Sequence, residues 1–85
     1  MIKSSTTASF RSRLKALPPE VRRLARKNFK LWLRDASHPS LHFKKVGEFW
    51  SARIGSNHRA LALWKGDKLE WFWIGSHDEY EELIR

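Results

Sequence analysis

The hydrophobic pattern of this chain changes period at Pro39, and the change divides the chain into a helical half and a sheet half. From Val21 onward, apolar residues recur every three or four positions, which predicts one amphipathic helix. Proline is tolerated in a first helical turn, so Pro18 and Pro19 mark the start of that helix. A shorter helix over roughly residues 9–17 would complete a hairpin hinged at these prolines.

Beyond Pro39, apolar and polar residues alternate, as they do in half-buried strands. Turns are predicted at residues 55–58 and 65–68, which are rich in residues that tolerate unusual backbone angles. The last strand, residues 69–74, is almost continuously apolar, which is typical of a central strand buried on both faces. A short final helix is expected over residues 78–84.

These elements predict an α+β fold. An N-terminal two-helix hairpin would pack on a small twisted antiparallel β-sheet of three to four strands, followed by a short C-terminal helix. The pattern also allows a weak edge strand near residues 2–7. A chain of 85 residues has the size of one small domain. Neither a repeat nor a linker divides it, so we expect a single domain over residues 1–85.

Composition excludes several classes of protein and site. The chain has no cysteine, which excludes disulfides and thiolate metal ligands. No apolar run approaches the ~20 residues that cross a bilayer, and residues 1–9 lack the apolar stretch of a secretory signal. No pair of histidines and carboxylates has metal-ligand spacing on a predicted element. We therefore expect a cytoplasmic protein without membrane contact, metal or cofactor.

The charge is distributed unevenly along the chain. Residues 1–46 hold twelve Lys/Arg against two acids, whereas residues 66–85 hold two Lys/Arg against six acids. A basic body attracts phosphate backbones and releases their counterions on binding. The same charge also suits an acidic protein partner or simple solubility, so the sign of the field alone does not identify the partner.

Directly after the last predicted strand, a polar segment contains a histidine and a tyrosine, two side chains that can take part in acid–base chemistry or ligand binding. The aromatic run that ends at Ile74 is followed by Gly75, and His77 and Tyr80 come directly after it. Histidine is the side chain type best suited to give or take a proton near neutral pH. A histidine placed where a sheet ends and a helix begins can meet a ligand instead of being packed in the core.

Several short motifs occur in a fixed order along the chain. They are Leu17-Pro18-Pro19-Glu20-Val21, His38-Pro39-Ser40-Leu41-His42-Phe43-Lys44-Lys45, Trp50-Ser51-Ala52-Arg53-Ile54 with Arg59-Ala60-Leu61, and Trp73-Ile74-Gly75-Ser76-His77-Asp78-Glu79-Tyr80. Together they resemble the RelE/ParE superfamily of toxins from bacterial type II toxin–antitoxin systems, from about Ser9 to Ile84. The resemblance implies a helical hairpin against a small twisted sheet, and a cognate antitoxin that wraps the toxin and often represses its own operon.

The resemblance leaves more than one activity open. RelE-like members cut messenger RNA in the ribosomal A site without metal, so the partners implied are the ribosome and mRNA. ParE-like members poison DNA gyrase and cut no RNA. A third alternative is an inactive domain that persists as an antitoxin-binding co-repressor. We expect the first activity, that of a ribosome-dependent mRNA endonuclease (an mRNA interferase) that inhibits translation, because the chain can supply the required side chains.

Those side chains follow from the chemistry of the RNA-cutting branch. The ribose 2′-hydroxyl attacks the adjacent phosphate, so the reaction needs a base, an acid for the leaving oxygen and cations for the developing charge. The resemblance implies that Arg59 stabilises the phosphate, that His77 donates or accepts the proton, and that Tyr80 stacks on or orients a base. The structural alternatives are an arginine held by an acidic neighbour, a histidine that caps the last helix, and a tyrosine in the core.

The remaining candidates are basic residues for binding the RNA backbone. They are Lys44, Lys45, Arg53 and His58. Strand alternation sends Lys44 and Lys45 to opposite faces, so at most one of them points into a site. A basic surface on the long predicted helix would meet ribosomal RNA or an acidic antitoxin segment. The tryptophans are expected mainly in the core, with Trp71 or Trp73 as the one that reaches the site.

Overall fold

The α+β class is confirmed by a computed structural model, which describes residues 2–85. Three helices, one short 3₁₀ helix and five strands follow one another in the described chain. In chain order they are β1 (Lys3–Thr6), α1 (Ala8–Lys15), α2 (Pro19–Arg34), the 3₁₀ helix (Pro39–Leu41), β2 (Lys44–Val46), β3 (Phe49–Ile54), β4 (His58–Lys65), β5 (Lys68–Ser76) and α3 (His77–Leu83). The change from helices to strands therefore falls where the hydrophobic period changes.

The five strands form one sheet in the order β1-β5-β4-β3-β2. Strands β2 to β5 are antiparallel neighbours, whereas β1 pairs in parallel with β5, with Lys3 opposite Lys68 and Thr6 opposite Trp71. The predictions of three to four strands and of a wholly antiparallel sheet were therefore wrong. The cause is β1, a short polar segment that has no apolar alternation and is held by backbone pairing with the edge of β5.

Local sequence explains where the first two helices begin. The hydroxyl of Thr7 accepts a hydrogen bond from the backbone N–H of Phe10, which caps α1. Helix α2 begins at Pro19, where the missing N–H costs nothing because a first turn has no carbonyl to bond it to. Helix α1 lies against β5 and α2 lies against β3, and side chains of both helices, such as Leu14 and Trp32, pack into one core on the same face of the sheet. None of the helices within residues 2–85 has the length and apolar character to cross a membrane.

An aromatic cluster joins α2 to the sheet. The ring of Trp32 meets the rings of Trp71 and Phe43 edge-on at centroid distances of 5.4 and 5.6 Å, and Phe43 stacks on Trp50 at 4.9 Å. Edge-to-face and offset contacts of this kind add to the gain from burying apolar area. Within the described chain, the buried indole nitrogens of Trp32 and Trp71 have no hydrogen-bond partner, so ring packing alone holds this cluster.

A bulge in β5 decides which side chains enter that core. Leu61 of β4 lies opposite Trp73, and the next residue, Ala62, lies opposite Trp71. Phe72 therefore has no partner in β4 and is an extra residue in β5. Trp71 and Ile74 would face opposite sides of a regular strand, yet both are buried in the helix-covered core. Phe72 and Trp73 then both turn to the other face, where each is half-buried. The apolar run therefore reflects a bulge, and burial of the whole run on both faces was wrongly predicted.

The tryptophans are less uniformly buried than the alternation predicted. Trp32 and Trp71 are 3% and 4% exposed, whereas Trp64 near the end of β4 is 48% exposed. Trp64 lies near the β4–β5 turn, although Leu69 directly opposite it is fully buried in the core. Trp71 and Trp64 are therefore a matched pair for measuring what the core contributes.

We predict that Trp71→Ala lowers the free energy of unfolding by about 3–5 kcal/mol, because it leaves a cavity in the aromatic cluster. Trp64→Ala is the control, and its effect should be clearly smaller because about half of that residue is already exposed to solvent. Urea denaturation followed by circular dichroism measures both values. Equal losses in the two variants would contradict the assignment of Trp71 to the core.

Candidate active site

The sheet face opposite α1 and α2 carries a row of basic and polar side chains. Arg53 of β3 lies directly opposite Arg59 of β4, and Ser51 lies between Lys44 of β2 and Leu61 of β4. Directly opposed residues share a face, so Lys44, Ser51, Arg53 and Arg59 all project to this side. We call it the open face, because the described helices α1 and α2 pack on the other side of the sheet.

The two opposed arginines are an unusual pair. Like charges directly across an antiparallel pair of strands destabilise the sheet, with Cβ atoms only about 5 Å apart. Arg53 donates through Nε to the carbonyl oxygen of Gly55 at 2.9 Å, and Arg59 donates through Nη1 to the Ser51 hydroxyl at 3.4 Å. Both are half-buried, and neither makes a salt bridge to a carboxylate within residues 2–85. The alternative of an arginine held by an acidic neighbour therefore finds no such neighbour for Arg59 in the described chain.

Helix α3 brings the remaining candidates to the end of this row. Its N-cap is Ser76, whose hydroxyl accepts from the backbone N–H of Glu79 while the Glu79 carboxylate accepts from the backbone N–H of Ser76. The backbone N–H of His77 donates to the carbonyl oxygen of Asn57 at 2.7 Å, which ties the helix start to the β3–β4 turn. The cap is therefore made by Ser76, and the side chain of His77 remains available for other contacts.

Tyr80 connects His77 to the arginine row. The Tyr80 ring is 3% exposed, and the Arg59 guanidinium carbon lies 5.1 Å from the centre of that ring. The ring centres of Tyr80 and His77 are 6.0 Å apart. A guanidinium on an aromatic face is held by cation–π attraction, which fixes the direction of the arginine without neutralising its charge. The 3% exposure agrees with the alternative of a tyrosine packed in the core, and that Tyr80 stacks on or orients a base stays a prediction.

Glu81 is a contact of His77 that the sequence analysis missed. Glu81 lies one helical turn after His77, and Glu81 Oε1 lies 3.0 Å from His77 Nε2. The other ring nitrogen of His77, Nδ1, does not take part in this contact. The sequence did contain a sign of this contact, because His77 and Glu81 are four residues apart and residues i and i+4 share a helical face. Ser51 was also missed, since its contact with Arg59 depends on which residues of β3 and β4 face each other.

Two predicted candidates do not lie with the others. Lys45 is opposite Trp50, and His58 is opposite Ile54, and both of these partners belong to the helix-covered core side of the sheet. Cross-strand partners share a face, so Lys45 and His58 project away from the open face. Lys44, by contrast, shares the open face with Arg53. The separation of Lys44 from Lys45 is the one that strand alternation predicts.

Trp73 lies on the open face but is already engaged. The guanidinium carbon of Arg13 lies 5.0 Å from the centre of its ring, and Arg13 Nε donates to the carbonyl oxygen of Ile74 at 2.8 Å. A Cβ on Gly75 would come within 2.5 Å of the Trp73 ring, so glycine is needed for the ring to lie along the strand. Trp71 is in the core, so neither of the two tryptophans is a free side chain at the site.

The wider surface is strongly basic. Most basic side chains of α2 are exposed, namely Arg23, Arg26, Lys27, Lys30 and Arg34. Arg22 instead donates to the carbonyl oxygens of Lys15 and Leu17, which closes the loop between the first two helices. No group of three or more His, Asp or Glu side chains within residues 2–85 could hold a metal ion. The open face can thus offer cationic donors and an imidazole to an anionic ligand.

The capping box at the start of α3 makes one carboxylate sensitive to acid. The hydrogen bond from the backbone N–H of Ser76 holds the pKa of Glu79 below its ordinary value of 4.5, and burial partly opposes this effect. The Ser76 hydroxyl and the Arg13 guanidinium, 3.1 Å from the carboxylate, lower the pKa further. A depressed pKa means that the ionised carboxylate stabilises the fold above pH 4.5, and that this contribution is lost as the pH falls through the native pKa.

We predict that Glu79→Gln lowers the midpoint of thermal unfolding at pH 7 but not under strongly acidic conditions. Glutamine can keep the hydrogen bonds of the capping box, so the difference reports the lost charge. The gap between the two proteins should narrow as the pH falls below 4.5. A gap that stays constant down to pH ~2, below the range where a carboxylate of this kind ionises, would contradict the depressed pKa. Glu82→Gln, on the exposed side of α3, is the control.

Comparisons with known proteins identify the fold. Neither the family models nor the curated proteins contain a match to this chain. Solved structures do match, among them RelE in a RelB–RelE antitoxin–toxin complex from Methanococcus jannaschii, with a TM-score of 0.71 and 17% identity over 94% of this chain and 98% of that one. A YoeB/ParE toxin from Agrobacterium tumefaciens matches at a TM-score of 0.67 and 17% identity over 88% and 98%. YafQ from E. coli matches at 0.60 and 9% identity over 94% and 98%. This chain therefore has the fold of RelE/ParE-type toxins.

Proposed function

We propose that this chain is the toxin component of a type II toxin–antitoxin system, and that it cuts messenger RNA on the ribosome without a metal ion. The observation that carries the proposal is the opposed pair Arg53 and Arg59, which has no carboxylate partner within residues 2–85. Two arginines on neighbouring strands of one face, neither paired with a carboxylate within residues 2–85, suit a phosphate ligand, which accepts bidentate hydrogen bonds from arginine. His77 and Tyr80 stand at the end of the same face.

The cleavage step follows from the residues of this face. The ribose 2′-hydroxyl attacks the adjacent phosphorus, the bond to the 5′-oxygen breaks, and the products carry a 2′,3′-cyclic phosphate and a 5′-hydroxyl. Arg59 stabilises the extra negative charge of the transition state, and the Tyr80 ring holds its guanidinium in place. His77 either accepts the 2′-hydroxyl proton or donates one to the leaving 5′-oxygen, solvent water takes part in the other proton transfer, and the Glu81 carboxylate contacts the His77 Nε2. Lys44 and Arg53 position the neighbouring phosphates.

The proposed partners are a cognate antitoxin and the ribosome with its mRNA. The M. jannaschii relative was solved as an antitoxin–toxin complex, and its similarity to this chain supports the first partner. The exposed basic residues of α2 suit an acidic antitoxin segment, and they also suit ribosomal RNA, whose phosphates bind such surfaces regardless of sequence. A gyrase poison would need no proton transfer from His77, and we rank it second, although the basic helix α2 would suit it as well.

We predict that His77→Ala abolishes cutting of translated messages. General acid–base catalysis contributes about 10²–10⁴-fold, so a loss of at least about 100-fold is expected. The measurement is 5′-end mapping of mRNA in a bacterial cell-free translation reaction. His42→Asn is the matched control, because His42 is exposed, lies outside the open face and adopts a positive φ of 43° that asparagine tolerates.

The same reaction separates the alternatives. Cuts inside translated codons that persist in His42→Asn and vanish in His77→Ala, with unchanged circular dichroism, support the nuclease. Cutting that His77→Ala leaves undiminished removes His77 from the mechanism. Intact messages with the wild-type protein overturn the nuclease proposal, and a supercoiling assay with DNA gyrase then tests the second activity.

A further inference from the structure

The open face also holds two phenylalanines that the proposed cleavage step does not use. Phe49 of β3 and Phe72 of β5 bring their rings to a centroid distance of 5.4 Å, inclined by 53°. Both are half-buried, so part of each ring is exposed to solvent. Phe49 shares its strand and its face with Arg53, because the two are four residues apart in β3. We call Phe49 and Phe72 the aromatic pair.

The bulge in β5 is what places Phe72 on this face. Trp71 and Ile74 both occupy the core side, and the extra residue between them turns Phe72 to the open face instead of burying it. Bulges next to functional sites re-aim a side chain in this way. The aromatic pair is therefore built by a departure from regular strand geometry, and not by ordinary alternation.

The distance from the pair to the arginines fits a strand of RNA. Four residues of extended chain separate Phe49 from Arg53, which corresponds to about 13 Å. Stacked nucleotides rise by about 3.4 Å each, so about four nucleotides or fewer would connect the two places. Ser51 and Leu61 lie between them on the same face and are themselves buried, so the RNA strand would contact the side chains around these two residues.

The charges around the aromatic pair favour a base over an acidic group. Leu63 of β4 lies opposite Glu70 of β5, so Glu70 projects to the open face at the same end as Phe72. A carboxylate there disfavours a phosphate or an acidic peptide, whereas an uncharged base is tolerated. Aromatic side chains on a sheet surface are a common way to bind unpaired bases, because every base has a face that stacks.

We infer that the aromatic pair is a stacking platform for an unpaired base of the same RNA strand whose phosphate lies at Arg53 and Arg59. The inference rests on the proposed function, and it adds a base-binding subsite to the phosphate-binding residues. The stacked base anchors the strand at one end, and the arginines grip the backbone at the other. Binding there is tolerant of base identity, because stacking needs no hydrogen-bond readout.

Binding of a fluorescein-labelled, single-stranded RNA of 12 nucleotides tests the inference, with fluorescence anisotropy measured over a series of salt concentrations. Phe72→Leu and Phe49→Leu keep apolar bulk and remove the ring. Each should weaken binding at least about fivefold without changing the salt dependence, because no phosphate contact is lost. Arg53→Gln should lower the salt slope by about 0.7. Phe29→Leu is the matched control, since Phe29 is 39% exposed on α2, away from the open face.

The outcomes separate this inference from the proposed function. A reduced salt slope in Arg53→Gln with unchanged binding in both phenylalanine variants overturns the stacking platform and leaves the RNA-binding proposal standing. No RNA binding by the wild-type protein, even at low salt, overturns both. Two further results would show that something other than RNA occupies the aromatic pair, and each would also overturn the platform. One is a labelled acidic peptide that binds the wild type but not Phe72→Leu. The other is a wild-type dimer in analytical ultracentrifugation that becomes a monomer in Phe72→Leu.

Discussion

One extra residue in β5 determines which side chains lie on each of the two faces of the sheet. Because Phe72 is bulged out of register, Trp71 and Ile74 both enter the helix-covered core, where Trp71 meets Trp32 and Phe43. The same bulge turns Phe72 and Trp73 to the open face. In a regular strand one of the two core residues would be lost from the core, and the open face would lose an aromatic ring. Core packing and the composition of the candidate site are thus consequences of one irregularity.

The start of α3 is the second constraint, and it is local in origin. The reciprocal hydrogen bonds of Ser76 and Glu79 set where the helix begins, and the bond from His77 to Asn57 anchors that start to the β3–β4 turn. Tyr80 then falls one turn along the helix, above Arg59. A short helix with few other contacts is in this way held against the sheet by its cap and by one buried ring. The cation–π contact leaves the charge of Arg59 uncompensated, which is what binding an anion requires.

Particular residues show how far sequence reasoning reached. The opposite orientations of Lys44 and Lys45 followed from the period of a strand, which is a property of the backbone alone. His77 and Arg59 were singled out by their positions in ordered motifs, and their roles remain proposals. His58 was proposed to bind RNA from a turn because the resemblance implies functional residues nearby, yet it begins β4 and its pairing with Ile54 places it on the opposite face from Arg59. Glu81 and Ser51 were missed because their importance depends on which partner they meet.

The sequence by itself determined the helices, the antiparallel strands and their turns, because hydrophobic period, prolines and glycines act on a few neighbouring residues at a time. It also determined the basic charge of the chain and the histidine at the end of the last strand. The sequence also allowed the weak edge strand that β1 forms, but the tertiary structure alone decided that β1 pairs in parallel with β5, that β5 carries a bulge, and that Arg53 stands opposite Arg59. Each of these depends on pairing between segments distant in the chain. Such pairing is set by the combined packing of the core and not by the pattern within any one segment.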